Sequence, residues 1–333
     1  MKDIIKKMVE GFGPSGFEDS IRAAIRDEIQ PLVDEIRVDA MGNLIALKKG
    51  TGHDGKKIMV AAHMDEIGAM VSYVDKKGFV RFTNLGGVVP IFEVGGRMRF
   101  ENGTIGVIAM EKLEDPKKAP ELEKLYVDVG ATSRDDCPVN VGDVACFLQP
   151  MVELGPCLAS KAMDDRVGCA IMIQALRDMK TKPAADIYFV FTTQEEVGLR
   201  GATTGAFGIN PDVGIAIDVT GTGDTPEPAR KMAVSIGAGP AIKIKDSGMV
   251  VTPWVKDWMI DVATAQKIPF QLEVLVGGAT DAAAIQKSRA GVAAGCISIP
   301  CRYIHSPSET VSYADVLNSV KLLVGMLERP VFN

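Results

Sequence analysis

Three apolar runs in this chain stop abruptly at acidic or histidine side chains. Ile58-Met59-Val60-Ala61-Ala62 ends at His63-Met64-Asp65-Glu66, Ile187-Tyr188-Phe189-Val190-Phe191 runs on to Gln194-Glu195-Glu196, and Val213-Gly214-Ile215-Ala216-Ile217 ends at Asp218. Unbroken β-branched and aromatic runs of this length predict strands buried on both faces of a parallel sheet. A fourth run, 292–299, leads to Tyr303-Ile304-His305-Ser306-Pro307-Ser308-Glu309. Around these runs the apolar spacing is helical over 3–10, from about 17 to 29 before Pro31, and over 164–176, 254–267 and 314–327. Ser312 and Asp315 read as a capping box for the last helix. Residues 37–39 and 43–47 predict a strand pair turning at Met41-Gly42, and 271–276 a further strand.

The texture changes over 68–158. Short alternating strands flank turns at Asp75-Lys76-Lys77-Gly78 and Glu101-Asn102-Gly103, and helical periodicity nearly vanishes. This stretch predicts a small β-barrel, with the charged excursion 111–124 solvated on its surface. The expected organisation is an α/β sandwich on a mainly parallel sheet, formed by 1–67 and 159–333, with 68–158 inserted as a separate β-domain.

Composition narrows the function classes. At 333 residues the chain can bury a large core, and 47% hydrophobic with 24% charged residues is ordinary for a globular protein. A net charge of −6 argues against nucleic acid or an anionic membrane as the main partner. The start of the chain mixes charge with apolar residues, unlike a secretory leader, and no apolar run approaches the ~18 residues of a membrane span. Six cysteines without a C-x-x-C pair predict reduced structural thiols in a cytoplasmic protein.

Ligands of open α/β sheets bind beyond the carboxyl ends of the strands. That rule brings His63, Glu195, Glu196, Asp218 and His305 toward one rim, joined by Asp164 at a helix start. Two histidines with several carboxylates suit zinc, cobalt or manganese, and the set could hold two ions about 3.5–4 Å apart. Each piece alone has a plainer reading. His63 could be a hydrogen-bonded core histidine, Asp164 and Asp165 could cap a helix, and Asp218 could end a strand in a turn. His53, among Gly, Thr and Lys, reads as a surface residue. Glu195 and Glu196 are the least bland, because neighbours on extended backbone point opposite ways, one toward an ion and one toward a reacting water.

Ala62-His63-Met64-Asp65-Glu66-Ile67-Gly68, Lys161-Ala162-Met163-Asp164-Asp165-Arg166-Val167-Gly168, Gln194-Glu195-Glu196-Val197-Gly198, Ala216-Ile217-Asp218 and Arg302 through Glu309 all resemble motifs of the tetrahedral aminopeptidases, the forty-second metallopeptidase family. The resemblance covers the chain from end to end, without departure at a motif position. It includes glutamyl and deblocking aminopeptidases, and some members are labelled cellulase or endoglucanase. The resemblance implies the α/β/α sandwich of dinuclear-zinc exopeptidases with an inserted barrel. It further implies Asp164 as a ligand bridging two divalent ions, which spacing alone would leave open between Asp164 and Asp165. His63 and Asp218 would complete one ion, and Glu196 and His305 the other. Glu195 is then the general base, and Asp65 the carboxylate that orients the His63 ring. The family's inserted domain drives dimers into a hollow dodecamer with inward-facing sites.

The expected activity is removal of N-terminal residues from oligopeptides through a two-metal-activated water, with Glu195 moving the proton. Two other readings compete. A glycosidase needs two carboxyls about 5–9.5 Å apart across a sugar, an arrangement that adjacent Glu195 and Glu196 suit poorly. A non-catalytic, metal-stabilised scaffold would close its sites with four protein ligands, often cysteine, and would leave Glu195 without a role. Gly277-Gly278-Ala279-Thr280-Asp281 resembles a family segment near the substrate pocket, or is simply a glycine turn opening a helix.

Overall fold

The computed structural model describes residues 1–332 except 53, 54, 229 and 230; the surface expectation for His53 lies outside the described residues. Four strands form the parallel centre of an eleven-stranded sheet, in the order Asp186–Thr192, Lys57–His63, Val213–Thr220, Ala293–Arg302. They are almost wholly buried, as their unbroken apolar runs require. Antiparallel strands flank this centre. Leu44–Lys48 and Glu35–Val38 extend one side, and Glu309–Ser312, Cys157–Ser160 and Val152–Leu154 the other. Ala241–Lys245 pairs antiparallel to Ala293–Arg302 and carries Gln271–Val274 in parallel.

Helices cover both faces. Lys2–Val9, Asp19–Ile29, Met163–Asp178 and Tyr313–Glu328 pack through one extensive core, and Arg200–Ile209 and Asp281–Gln286 lie against the other face. Ser312 accepts from the Asp315 amide, but the Asp315 carboxylate turns outward to the amides of Gly237 and Gly239 (2.7 and 2.8 Å). The cap is therefore one-sided, and its acid ties a distant loop instead of closing the box.

The segment after His63 leaves the sheet and closes a six-stranded barrel, Gly68–Val74, Val80–Leu85, Leu125–Asp128, Ile105–Met110, Arg97–Phe100 and Val144–Phe147. Alternation of buried and outward positions gives the barrel its own core of Val71, Val80, Met98, Phe100, Ile108 and Val127, separate from the main one. Val152–Leu154, within 68–158, and Cys157–Ser160, which straddles its end, pair into the main sheet, so the chain re-enters it soon after Phe147.

Candidate metal centre

Parallel register sets the depth at which each functional side chain emerges. Thr192 lies opposite His63, and Ala216 opposite Ala61, so the ends of three strands open onto the same rim. His63 and Asp218 occupy strand positions. Glu195 and Glu196 follow on a loop whose course is fixed by backbone bonds: Asn43 Oδ1 accepts from the Thr193 amide (3.0 Å) and Glu18 Oε1 from the Gln194 amide (3.1 Å). Gln194 itself takes the left-handed conformation at φ 54, uncommon for a residue with a side chain.

Asp164 stands at the centre. Its Oδ1 is 2.9 Å from His63 Nε2, and its Oδ2 3.4 Å from His305 Nε2. His305 Nε2 is also 3.3 Å from Glu196 Oε2. The ligand-competent atoms of His63, Asp164 and Glu196 lie within 4.8 Å of one another, and so do those of His63, Asp165 and Asp218. The expected ligands therefore fall into two groups that share His63, with His305 beside Asp164 and Glu196, and with Asp165 joining Asp218. Only Asp165 of the Asp164–Asp165 pair plays the helix-capping part that the sequence suggests. Their backbone is non-helical (ψ 108 and 38) and the bond between them is cis; Asp165 Oδ1 caps the helix by accepting from the Gly168 amide (3.1 Å), whereas the Asp164 carboxylate faces the two histidines.

The electrostatics are lopsided. Burial pushes the Asp218 and Asp165 carboxyls well above the usual range, reinforced by neighbouring carboxylates, and Glu195 is raised in the same way despite the opposing His63. Burial also works against a charged Asp164, yet the two imidazoles outweigh it and hold that carboxyl low. The same bonds drive His305 up to about 12 against the pull of burial. Glu196 Oε1 and Asp165 Oδ2 are buried without any hydrogen-bond partner. Crowded carboxylates, two imidazoles and orphaned acceptor oxygens fit divalent cations, which would supply the missing positive charge.

A supporting layer holds the ligands. Asp65, fully buried, accepts from the amides of Glu195 (3.0 Å) and Glu196 (3.3 Å) and from Ser15 Oγ (2.6 Å), while its Oδ1 lies 3.4 Å from His63 Nδ1. Ser15 arrives on a segment pinned by two buried cations. Arg166 donates to the carbonyls of Met8 (2.8 Å) and Gly13 (3.2 Å) and pairs with Glu66, and Lys161 reaches Gly11 O and the same Glu66. Glu309 grips both sides of the centre, its Oε2 accepting from the Asp164 amide (2.9 Å) and its Oε1 from the His305 amide (2.8 Å). Asp281 is buried behind the rim, bonded to Thr192 Oγ1. From the barrel, Gly86 and Gly87 press on Glu196 and His305. Sequence reasoning gave no role to Ser15, Glu309 or Gly87. The close spacing of Glu309 to His305 was the available clue, since an acid four residues after a ligand can reach back to its amide.

The comparisons agree with this geometry. A family model described as M42 glutamyl aminopeptidase matches residues 42–322. A protein of Acetivibrio thermocellus, provisionally named an aminopeptidase, is 52% identical over 97% of both chains. Aminopeptidase APDkam598 from Desulfurococcus kamchatkensis superposes with a TM-score of 0.94 at 41% identity, covering 98% of this chain and 94% of that one. The TET1 peptidase of Pyrococcus horikoshii, described as able to assemble into a tetrahedron or a large octahedral shell, matches with a TM-score of 0.88 at 31% identity over 98% and 99%. With the model spanning most of its length and the metal-competent cluster at the expected rim, the chain belongs to the M42 glutamyl aminopeptidase family.

Proposed function

We propose that this protein is an aminopeptidase that releases N-terminal residues from oligopeptides with two divalent metal ions per subunit. The observation that carries the reading is Asp164, set between His63 and His305 with Glu195 at hand. His63 and Asp218 would hold one ion, Glu196 and His305 the other, and Asp164 both. Mixed nitrogen and oxygen donors suit zinc or cobalt, with manganese also admitted. When bound, such a pair of ions supplies Lewis acidity toward a carbonyl oxygen and lowers the pKa of water.

The chain's own residues do the rest. Glu195, whose Oε2 is 3.9 Å from His63 Nε2, takes a proton from the attacking water and returns it to the departing amine. Asp65 fixes the Glu195 and Glu196 amides and faces the second nitrogen of His63, so one buried acid aligns base and ligand together. The 68–158 insertion, with its re-entry strands set apart, is the proposed dimerisation and oligomerisation unit, leading to a dodecamer. Outward-facing Tyr73, Ile105 and Val107 on the barrel support that role, as does the assembly described for the Pyrococcus horikoshii relative. A cytoplasmic location is the remaining part, supported by cysteines that all stay unpaired.

The test is a panel of aminoacyl-p-nitroanilides assayed after chelation and readdition of each metal. Activity lost on chelation and restored by zinc, cobalt or manganese is expected. Chelator-insensitive release of sugar from a polysaccharide, without peptidase activity, would overturn the reading.

A further inference from the structure

A cavity of about 780 Å³ opens directly off the centre, floored by Asp164, Glu195, Glu196 and Asp218. Its far wall comes from other parts of the fold, and four of its side chains are Leu199, Met232, Leu275 and Ile304. The Leu275 wall is built firmly. Its amide donates to Lys245 O (2.9 Å), and the next turn is held where the Ser247 amide donates to Gly278 O (3.1 Å).

The charges around this cavity are spoken for. Among the described residues, and apart from His305 of the centre itself, its lining cation is Arg302, whose Nε and Nη2 grip the two oxygens of Asp224 at 3.0 and 2.7 Å. That guanidinium holds the Asp224 carboxyl down to about 2, so the pair stays ionised and mutually neutralised across the working pH range. The lining carboxylates are those of the centre itself. Thr220 offers no free hydroxyl either, since its Oγ1 donates to buried Glu273 (2.7 Å). Among the described residues, an acidic side chain entering here would meet no unpaired cation beyond the centre, and a basic one no carboxylate outside the centre.

We propose that this cavity receives the side chain of the substrate's first residue and selects uncharged apolar residues of leucine or methionine size. The inference rests on the aminopeptidase reading and adds the substrate class. Apolar lining gains from burying methylenes and penalises a charge that must shed its water unpaired. Arg302 is thereby a latent specificity residue, kept out of substrate recognition by Asp224.

The experiment compares kcat/KM for Leu-, Met-, Glu- and Lys-p-nitroanilide on the metal-loaded enzyme. In parallel, thermal shifts are recorded with free leucine, glutamate and lysine, which read binding without turnover. Leucine and methionine substrates are expected to lead by at least ~10-fold, the scale of apolar-pocket discrimination, with leucine giving the largest shift. Asp224→Ala, which frees Arg302, should raise the Glu-to-Leu ratio by at least ~10-fold. Leu275→Glu should raise the Lys-to-Leu ratio, and serves where Asp224→Ala fails to fold. Preference for the glutamyl or lysyl substrate in the parent protein, or ratios unmoved in both variants, overturns the assignment while leaving the peptidase intact. Failure to cleave any of the four removes the peptidase reading and this inference together.

Discussion

Gly87 lies against the His305 imidazole so closely that a Cβ at this position would fall 2.4 Å from Nδ1 and 2.6 Å from Cε1. No side chain fits there without displacing the ring. Gly87→Ala should therefore keep both cores, yet push His305 off Asp164 and Glu196. A drop in metal affinity of about 10–100-fold, the scale seen when support for a ligand is lost, is the expected result. Metal titration of the folded variant checks it; unchanged affinity would mean that the ring relocates freely.

Glu195 and His63 should separate chemistry from binding. Glu195→Gln retains shape and metal but loses about 10²–10⁴ in kcat, the usual contribution of a positioned base. His63→Ala should instead lose metal. Retained peptidase turnover in Glu195→Gln, with metal content matched to the parent, would remove the base assignment.

Glu309 makes both of its bonds to backbone amides, those of Asp164 and His305. Glu309→Ala would leave two amides at the centre unpaired, at a cost of about 1–3 kcal/mol each if buried. The variant should have lower stability and weaker metal binding, while Glu309→Gln keeps one acceptor and should fall between. Denaturant melts with and without added zinc distinguish the two effects.

Glu93 provides the pH prediction. It is fully buried at the end of the short helix Pro90–Glu93, both carboxyl oxygens lack partners, and burial pushes its pKa from 4.5 to about 8. Below pH ~4.5 native and unfolded states both hold the proton. Between ~4.5 and ~8 the unfolded chain releases it and the native protein keeps it, so this residue's contribution falls as pH rises, then levels off above ~8. The loss is on the order of a few kcal/mol. Glu93→Gln should flatten that slope and stabilise the protein at pH 8; equal slopes in parent and variant would contradict the argument.

The metal-competent rim was legible because strand ends are legible. Apolar runs of the right length terminate at His63 and Asp218, and a parallel sheet aligns such termini whatever the details of packing. The barrel was visible through its turns and period-two spacing. Less accessible were residues whose role is to hold something else. Ser15 matters through Asp65, and Gly87 through the space that it leaves for His305; neither leaves a periodic or compositional trace. The four-residue strands Cys157–Ser160 and Glu309–Ser312 are too short for periodicity to reveal. Asp164 was harder to read because acids at a helix start normally serve the helix, as Asp165 does here, whereas the Asp164 carboxylate faces the two histidines.

The buried guanidinium of Arg166 has a practical reach. Because it fastens Met8 and Gly13 carbonyls beneath the segment that delivers Ser15 to Asp65, the start of the chain is tied to the loop that carries the proposed base Glu195. Trimming that segment, or fusing a bulky partner that tugs on it, should lower activity even though none of those residues lines the cavity at the centre.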